Sequence, residues 1–462
     1  MANQYDVVVI GAGPGGYVAA IRAAQLGLKA AIVEKQFMGG VCLNIGCIPS
    51  KALLHNAELI HTIQTRGKEF GFSLSDIKVD YGVAFDRSRQ VSGRLVKGVE
   101  SLMRKNNIDV HTGVGIITDP NTVQVTLNAG GETTLATRNV IIATGARPRP
   151  LPGAPFDGKK VISYIEAITS KTLPRRAVII GAGAIGVEFA YVWACYGVDV
   201  TLVEMLPRML PREEPEVSKV LEKAYQRLGV KFLPNTTVKA VVEQNDQLAI
   251  TLSNDTVLTA DQMMVAISFA PNVENLGLEN VGVQVERGAI VIDAAMRTRV
   301  PNIYAIGDVT GKLMLAHVGS AMGIIAAETI AGHPTVQLDY RMLPRATYCQ
   351  PQVASFGYTE EEARAAGYAL KIGQFPFQPN GKALGMGERE GFVKIIADAR
   401  YGEILGAHMV GHGVTELLPE LTLAQMNELT AAEIARNVHA HPTMSEAIME
   451  AAHGVEGQPI HM

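Results

Sequence analysis

Cysteine is scarce in this sequence, with four residues in a chain of 462. Small secreted domains held together by disulfides are rich in cysteine, so the composition excludes that class and favours a reducing compartment. An apolar strand-like run begins near Tyr5 and leaves no room before it for a secretion signal. We therefore expect a cytoplasmic protein in which any disulfide serves redox chemistry.

An excess of positive charge and a long uncharged run are also missing. The formal net charge is −4, which argues against nucleic acid or an anionic membrane as a partner. The most apolar stretch, residues 177–198, carries the single charge of Glu188. Its three glycines follow four strand-forming residues, a pattern typical of a buried strand, a tight turn and a packed helix. We predict no membrane insertion.

Glycine is abundant, with 46 residues, and two glycine-rich segments repeat one pattern. In residues 6–35 an apolar strand leads into a GxGxxG turn, a helical segment, a second strand and an acid, and residues 177–205 repeat this order. The residues of the pattern are Gly11, Gly13, Gly16 and Glu34 in the first copy and Gly181, Gly183, Gly186 and Glu204 in the second. Both copies have the same spacing from first glycine to acid.

Each part of this pattern serves dinucleotide binding. The first glycine makes the turn, the second lets a pyrophosphate approach, the third lets helix pack on strand, and the acid binds ribose hydroxyls. The repetition predicts two dinucleotide sites. A carboxylate repels a 2′-phosphate, so Glu204 favours NAD over NADP, with Arg208 as the one nearby residue that argues the other way.

The chain divides into four predicted parts. Prolines at 148, 150, 152 and 155 indicate an extended connector and hence a boundary near residue 147. Residues 238–258 alternate as in a β-meander, and residues 303–332 contain a strand, a Gly-Asp loop and an apolar helix. The predicted parts are a first nucleotide-binding domain (1–146), a second (147–269), a central segment (270–338) and a separate C-terminal domain (339–462).

The segment GGVCLNIGCIPSKALL, residues 39–54, holds two of the four cysteines, Cys42 and Cys47. A zinc site needs a second ligand pair, and a plant-type iron–sulfur site needs a cysteine at position 50, which is Ser50. A pair of reduced structural cysteines or a disulfide remains. In a regular helix the Cα atoms of residues i and i+5 lie ~8.7 Å apart, whereas a disulfide needs less than ~7 Å. A disulfide therefore requires a break in the helix, which Gly46 makes easier.

These segments, together with IIATGA, YAIGDV…MLAH and the terminal HAHPTMSEA, resemble the dihydrolipoamide dehydrogenase family from end to end. The resemblance implies an α/β fold of two Rossmann-like domains, for FAD and NAD, with a C-terminal α+β dimerisation domain. It also implies NAD-linked oxidation of dihydrolipoamide by a homodimer that serves the lipoyl domain of a multienzyme complex. One departure is Ser268-Phe269-Ala270-Pro271-Asn272, where many members have Gly-Arg-Arg-Pro-Asn.

The resemblance also implies a role for each site residue. A thiolate of dihydrolipoamide attacks Cys42, Cys47 lies against the flavin, and His441, oriented by Glu446, is the base. His439 is the rival base, and Glu446 has an alternative role in a capping box with Thr443. The implied FAD-binding residues are Gly11, Gly13, Gly16, Glu34, Lys51, Gly115, Thr144, Gly145, Asp308, Met314, Leu315, Ala316 and His317. The implied NAD-binding residues are Gly181, Gly183, Gly186, Glu188, Glu204 and Val238. No metal ligand is expected.

Glu188 needs a partner because an unpaired buried carboxylate is costly. The resemblance supplies Lys51 as that partner, and the alternative is an exposed acid at the start of a helix. Two other functions stay open at this point. One is a related flavin-dependent reductase of another disulfide or a quinone, and the other is a flavin-bound assembly or sensor subunit without turnover.

Overall fold

A computed structural model describes residues 3–462. The first part of the chain forms β1 (Asn3–Ile10), α1 (Pro14–Gln25), β2 (Ala30–Glu34), α2 (Gly40–Ile45), α3 (Cys47–Thr65), α4 (Gly67–Phe70), α5 (Tyr81–Lys105), β3 (Asp109–Asp119), β4 (Thr122–Leu127) and β5 (Glu132–Ile142). The next part forms β6 (Ala146–Pro148), β7 (Val161–Ile162), α6 (Tyr164–Thr169), β8 (Arg176–Ile180), α7 (Ala184–Cys195), β9 (Asp199–Val203), α8 (Pro215–Arg227), β10 (Lys231–Leu233), β11 (Val238–Gln244), β12 (Gln247–Leu252), β13 (Val257–Ala260), β14 (Gln262–Val265) and β15 (Phe269–Pro271).

The chain continues through a short segment and ends in a third sheet with helices. The segment forms α9 (Leu278–Val281), β16 (Val285–Glu286), β17 (Ala289–Ile290), β18 (Ile303–Ala305), a 3-10 helix (Gly307–Thr310) and α10 (Ala316–Ile330). The last part forms β19 (Arg345–Thr347), β20 (Gln352–Gly357), α11 (Glu360–Ala365), β21 (Leu370–Pro376), α12 (Gly381–Met386), β22 (Phe392–Asp398), β23 (Ile404–Gly411), α13 (Val414–Met426), α14 (Ala431–Arg436) and α15 (Glu446–Glu456).

Two sheets share one arrangement of parallel strands. The first runs β3-β2-β1-β5-β18, and the second runs β10-β9-β8-β14-β7. The central strand of each, β1 or β8, leads into a glycine-rich turn and then into α1 or α7. This repetition confirms the predicted α/β fold with two Rossmann-like units. Strand β18, which lies in the predicted central segment, pairs with β5 and so completes the first sheet.

The two glycine-rich turns have nearly the same backbone. Gly11 and Gly181 have φ angles of +106° and +105°, a region that favours glycine. A Cβ atom on Gly16 would lie 1.9 Å from the carbonyl oxygen of Gly11, and one on Gly186 would lie 1.9 Å from that of Gly181. Only glycine permits such close packing of helix on turn, which explains the spacing of the motif.

Three further features complete the fold. Strands β11, β12 and β13 form the predicted antiparallel meander, and β6 pairs with β15 in a two-stranded ribbon between the first two sheets. The third sheet is antiparallel, in the order β19-β20-β23-β22-β21, and packs against α13 and α15. Within residues 3–462 no helix is long and apolar enough to cross a membrane, and the apolar run at 177–198 forms β8 and the 12-residue α7.

Candidate active site

The two clustered cysteines lie on either side of a helix break. Helix α2 ends at Ile45, α3 begins at Cys47, and Gly46 between them leaves the helical conformation. A Cβ atom on Gly46 would lie 3.0 Å from the carbonyl oxygen of Val41. The helix break that a disulfide between these positions requires is therefore confirmed.

The cysteines are present as the reduced pair, and they are unequal. All four cysteines of the chain are free thiols, and Cys42 and Cys47 are half-buried. The hydrogen bond from the Cys42 thiol lowers the pKa of Cys47 to about 7, and the positive charge of Lys51 contributes to this against the effect of burial. The same hydrogen bond, together with burial, raises the pKa of Cys42. Cys47 is thus the thiolate near neutral pH, stabilised by a thiol donor and an ammonium group.

Lys51 forms an ion pair with Glu188 across the interface between α3 and α7. Lys51 Nζ lies 2.9 Å from Glu188 Oε2 and 3.1 Å from Oε1. Glu188 as a whole is 5% exposed, and its carboxylate also accepts a hydrogen bond of 2.9 Å from the backbone N–H of Tyr348. Burial opposes the charge of Lys51, yet the carboxylate outweighs it and raises the Lys51 pKa. Glu188 is thus a buried, paired acid and not an exposed residue at a helix start.

His441 and His439 differ in the availability of their ring nitrogens. The Nδ1 atom of His441 lies 2.8 Å from Glu446 Oε1, and 77% of its side chain is exposed. The side chain of His439 is 4% exposed, with Nδ1 at 2.9 Å from the Asn437 carbonyl and Nε2 at 3.0 Å from Glu420. His441 therefore has an accessible Nε2 that can exchange protons, whereas both nitrogens of His439 are engaged.

Glu446 serves two partners at once. Besides His441, its carboxylate accepts a hydrogen bond of 2.8 Å from the backbone N–H of Thr443. The reciprocal half of the expected capping box is not formed, because the Thr443 hydroxyl bonds to the Ala440 carbonyl and Ser445 is the N-cap. Burial raises the pKa of Glu446, but these two partners outweigh it and lower the pKa. Glu446 thus fixes the imidazole relative to the backbone.

The acids of the two nucleotide motifs hold the glycine-rich turns in the same way. Glu34 accepts a hydrogen bond of 2.7 Å from the Ala12 N–H, and Glu204 accepts one of 2.7 Å from the Ala182 N–H. The N-termini of α1 and α7 have no side-chain cap, and the space beside Gly13 and Gly183 is open. An uncapped helix N-terminus with open space fits a pyrophosphate, and the nearby acid fits a ribose.

Asp308 lies in the 3-10 helix just before α10. Its half-buried carboxyl group has no hydrogen-bond partner among residues 3–462, and burial raises its pKa to about 6. An unpartnered, half-buried acid fits the hydroxyl groups of a dinucleotide such as FAD. The neighbouring residues Met314 and Leu315 precede Ala316 and His317, where α10 begins, again without a side-chain cap.

The other residues predicted for the cofactors occupy more structural positions. The Thr144 hydroxyl donates a hydrogen bond of 2.7 Å to the carbonyl of Asn272, whose own N–H donates to the Gly145 carbonyl at 2.9 Å. Gly115 is buried in β3 beneath Val33, where a Cβ atom would lie 3.2 Å from Cγ1. Val238 begins β11 and packs on the core of the second sheet. His317 Nε2 donates to the Pro344 carbonyl at 2.8 Å.

Two residues near the cysteines were not identified from the sequence. Arg89 of α5 donates a hydrogen bond of 2.6 Å to the carbonyl of Asn44, between the two cysteines. Tyr164 is buried, and burial together with the charges of Asp308 and Cys47 raises its pKa to about 12. Its ring centroid lies 5.9 Å from that of Phe269, the residue that replaces an arginine of the family pattern. Neither residue belongs to a local motif, so no sequence signal marked it.

No group of three or more His, Cys, Asp or Glu side chains suited to a metal ion occurs between residues 3 and 462.

His441 is not bonded to the two clustered cysteines within the described chain. No hydrogen bond or ion pair joins it to Cys42 or Cys47 there.

Comparison with known proteins assigns this arrangement to a family. Residues 5–323 match the pyridine nucleotide-disulphide oxidoreductase model, and residues 343–452 match the dimerisation domain of the same family. The chain belongs to the pyridine nucleotide-disulphide oxidoreductase family. Enzymes of this family use FAD and NAD(H), in agreement with the two predicted sites, and the dimerisation domain indicates a homodimer.

Curated relatives extend over the whole chain. The dihydrolipoyl dehydrogenase of Mycobacterium tuberculosis is 56% identical over 464 residues, covering 99% of this chain and 100% of the relative. That of Corynebacterium glutamicum is 53% identical with 100% of both chains covered. Among solved structures, LpdA from Mycobacterium tuberculosis has a TM-score of 0.91 at 27% identity, with 98% of this chain and 99% of that chain covered. The HOCl-induced flavoprotein disulfide reductase RclA from Escherichia coli has a TM-score of 0.86 at 26% identity, with 97% and 99% covered.

Proposed function

We propose that this chain oxidises dihydrolipoamide to lipoamide with NAD⁺ as the acceptor, as a dihydrolipoyl dehydrogenase. The observation that carries the proposal is the Cys42–Cys47 pair, in which a thiol donor and Lys51 lower the pKa of Cys47 to about 7. A thiolate with a pKa near ambient pH is a good leaving group and a good nucleophile in disulfide exchange. The full-length relatives that carry this enzyme name support the choice of substrate.

The cysteines and the base account for the exchange steps. A thiolate of dihydrolipoamide attacks Cys42 Sγ of the Cys42–Cys47 disulfide, and Cys47 leaves as a thiolate. The second thiol of the substrate then attacks the sulfur joined to Cys42, which closes the lipoamide ring and releases Cys42 as a thiol. Of the two substrate protons, one remains on Cys42 and the other moves to His441 Nε2, with Glu446 stabilising the imidazolium. FAD, held by the turn at Gly13 with Glu34 and Asp308, would supply the two-electron chemistry that connects the cysteine dithiol to NAD⁺.

In our proposal, each of the predicted segments of the chain has its own role in this reaction. The segments 1–146 and 270–338 bind FAD through the turn at Gly13, the acid Glu34 and Asp308. The segment 147–269 binds NAD through the turn at Gly183 and the acid Glu204. The segment 339–462 forms the dimer and supplies His441. We also propose that the substrate is carried by the lipoyl domain of a multienzyme complex. The low cysteine content of the chain supports a further proposal, that the enzyme works in the cytoplasm, a reducing compartment.

Steady-state kinetics with purified holoenzyme test the function. Dihydrolipoamide with NAD⁺ is expected to give turnover, whereas glutathione with NAD⁺ gives little. The similarity to a flavoprotein disulfide reductase makes reduction of another disulfide or a quinone the second candidate. Turnover with such a substrate, and none with dihydrolipoamide, would reject the first candidate and support the second.

A further inference from the structure

The helix break between the two cysteines creates a need for hydrogen bonds. The last four carbonyl groups of any helix lack partners within that helix. Helix α2 ends at Ile45, so the carbonyl group of Asn44 falls in this set. The side chain of Asn44 is already engaged, since Nδ2 donates to the Met38 carbonyl at 3.0 Å and to the Gly40 carbonyl at 2.9 Å. The backbone carbonyl therefore needs a donor from another element.

Arg89 supplies that donor from the middle of α5. Its Nη1 lies 2.6 Å from the Asn44 carbonyl oxygen, and its Nε lies 3.4 Å from the Ser88 hydroxyl. Its Nη2 is buried and has no partner in the described part of the chain. Arg89 is half-buried, and leaving its buried Nη2 without a partner is unfavourable. Partial burial also lowers the pKa of Arg89. The one short hydrogen bond that offsets this cost is the bond to the segment between the cysteines.

We propose that Arg89 is a positioning residue that holds residues 42–47 in the broken-helix geometry in which the disulfide can close. This inference rests on the proposed function, because it takes Cys42 and Cys47 as the redox pair. Without Arg89 the Asn44 carbonyl is free to accept a backbone N–H one turn later. A continuous helix would then place the two Cα atoms ~8.7 Å apart, beyond the ~7 Å that a disulfide spans.

The direction of the effect follows from this geometry. The dithiol form tolerates either a broken or a continuous helix, whereas the disulfide form requires the break. Loss of the Arg89 bond therefore disfavours the disulfide relative to the dithiol. The positive charge of Arg89 acts in the opposite sense, because it favours a thiolate and hence the reduced form. At a pH below about 7, where Cys47 is protonated, the effect of geometry remains and the effect of charge on the thiolate is removed.

The test is the equilibrium between the protein dithiol and oxidised dithiothreitol, which gives the protein disulfide and reduced dithiothreitol. Holoenzyme is equilibrated without oxygen at acidic pH and quenched, and the free thiols of Cys42 and Cys47 are counted by alkylation and mass spectrometry. We expect Arg89→Met to lower the equilibrium constant for disulfide formation ~10-fold, which equals ~30 mV for a two-electron couple. Arg89→Lys, which keeps a donor, is expected to stay within ~3-fold of wild type.

The matched control is Arg87→Met, an exposed arginine on the same helix, which should leave the equilibrium unchanged. If Arg89→Met does not fold, Arg89→Gln replaces it, since glutamine cannot reach the Asn44 carbonyl in the same geometry. An equilibrium constant equal to that of wild type in the folded variant would overturn the inference. Absence of any Cys42–Cys47 disulfide in the wild-type protein would instead reject the proposed function, so the two failures are distinguishable.

Discussion

Lys51 Nζ lies 2.9 Å from the buried carboxylate of Glu188, so that the helix that begins at Cys47 is joined to the helix behind the second glycine-rich turn. The two charges act on Cys47 in opposite directions: Lys51 lowers its pKa and Glu188 raises it. The pair therefore does more than connect two helices, because it contributes to the charge state of the thiolate.

Lys51→Met and Glu188→Gln should shift the titration of Cys47 in opposite directions. Without the ammonium group, the pKa of Cys47 should rise above about 7, and without the carboxylate it should fall below that value. The pH dependence of the alkylation rate of Cys47 in the reduced enzyme measures both shifts. Lys68→Met, at an exposed position on α4, is the control. Shifts of the same sign in both variants would contradict this account.

The cysteines should give unequal spectra when each is replaced. Cys42→Ser keeps a hydroxyl donor beside Cys47, so a thiolate should persist and give a long-wavelength absorption band with bound flavin. Cys47→Ser removes the residue with the lowered pKa and should abolish the band. Absorption spectra of the two variants across the pH range from 6 to 9 provide the measurement. Equal spectra would mean that our assignment of the two roles is wrong.

The second nucleotide site should discriminate strongly between NADH and NADPH. The Glu204 carboxylate is buried and accepts hydrogen bonds from Ala182 and Leu206, at 2.7 and 2.9 Å, while Arg208 donates to the Pro211 carbonyl at 3.1 Å. A 2′-phosphate would meet the fixed negative charge of Glu204, while Nη2 of Arg208 is engaged with the Pro211 carbonyl. We expect kcat/KM to favour NADH by at least ~10²-fold, or roughly 2.7 kcal/mol at ~1.4 kcal/mol per decade. Comparable values for both cofactors would reject the role of Glu204.

Those parts of the molecule that depend on local spacing were predictable from the sequence. The glycine turns and their acids lie within one strand–turn–helix–strand unit, and steric contact at Gly16 and Gly186 leaves no other residue possible. The helix break at Gly46 followed from the reach of a disulfide. The partnership of Lys51 with Glu188 needed the family resemblance, because the two residues are 137 positions apart.

Contacts between distant elements could not be predicted in this way. Arg89 lies 45 positions from Asn44, in a helix whose sequence resembles any amphipathic surface helix. Tyr164 packs on Phe269 across the ribbon that joins two sheets, and neither residue has a local pattern that indicates this. The half-formed capping box at Thr443 shows the limit of a local rule, since Glu446 is shared with His441.

The two histidines near the C-terminus should differ sharply in their effect on activity. His441→Gln should lower kcat by ~10²- to 10⁴-fold, the usual contribution of a general base, because its exposed Nε2 is lost. His439→Gln should retain most activity, since that ring is buried against Glu420 and Asn437. Steady-state assays with dihydrolipoamide and NAD⁺ decide between them, with melting temperatures to confirm folding. A greater loss of kcat in the His439 variant than in the His441 variant would show that His441 is not the base.

The last prediction concerns the subunit that supplies the base. His441 is 77% exposed, it has no bond to Cys42 or Cys47 within the described chain, and it lies in the segment that matches a dimerisation domain. A two-fold interface that brings His441 of one protomer to the cysteines of its partner creates two equivalent sites. Each site then depends on residues from both chains.

Mixed dimers of Cys42→Ser and His441→Gln protomers test this arrangement. If the site is shared, one site of each mixed dimer receives intact cysteines from the His441 variant and an intact histidine from the Cys42 variant, while the other site receives both lesions. Activity per mixed dimer should return to about half that of wild type, because one of its two equivalent sites is intact. Mixed dimers of Cys42→Ser and Cys47→Ser are the matched control: each site keeps one damaged cysteine, so no activity should return. If His441 acted within its own protomer, every site of the first mixture would also carry a lesion. Inactive mixed dimers, verified by mass, would therefore show that the base and the cysteines belong to the same chain.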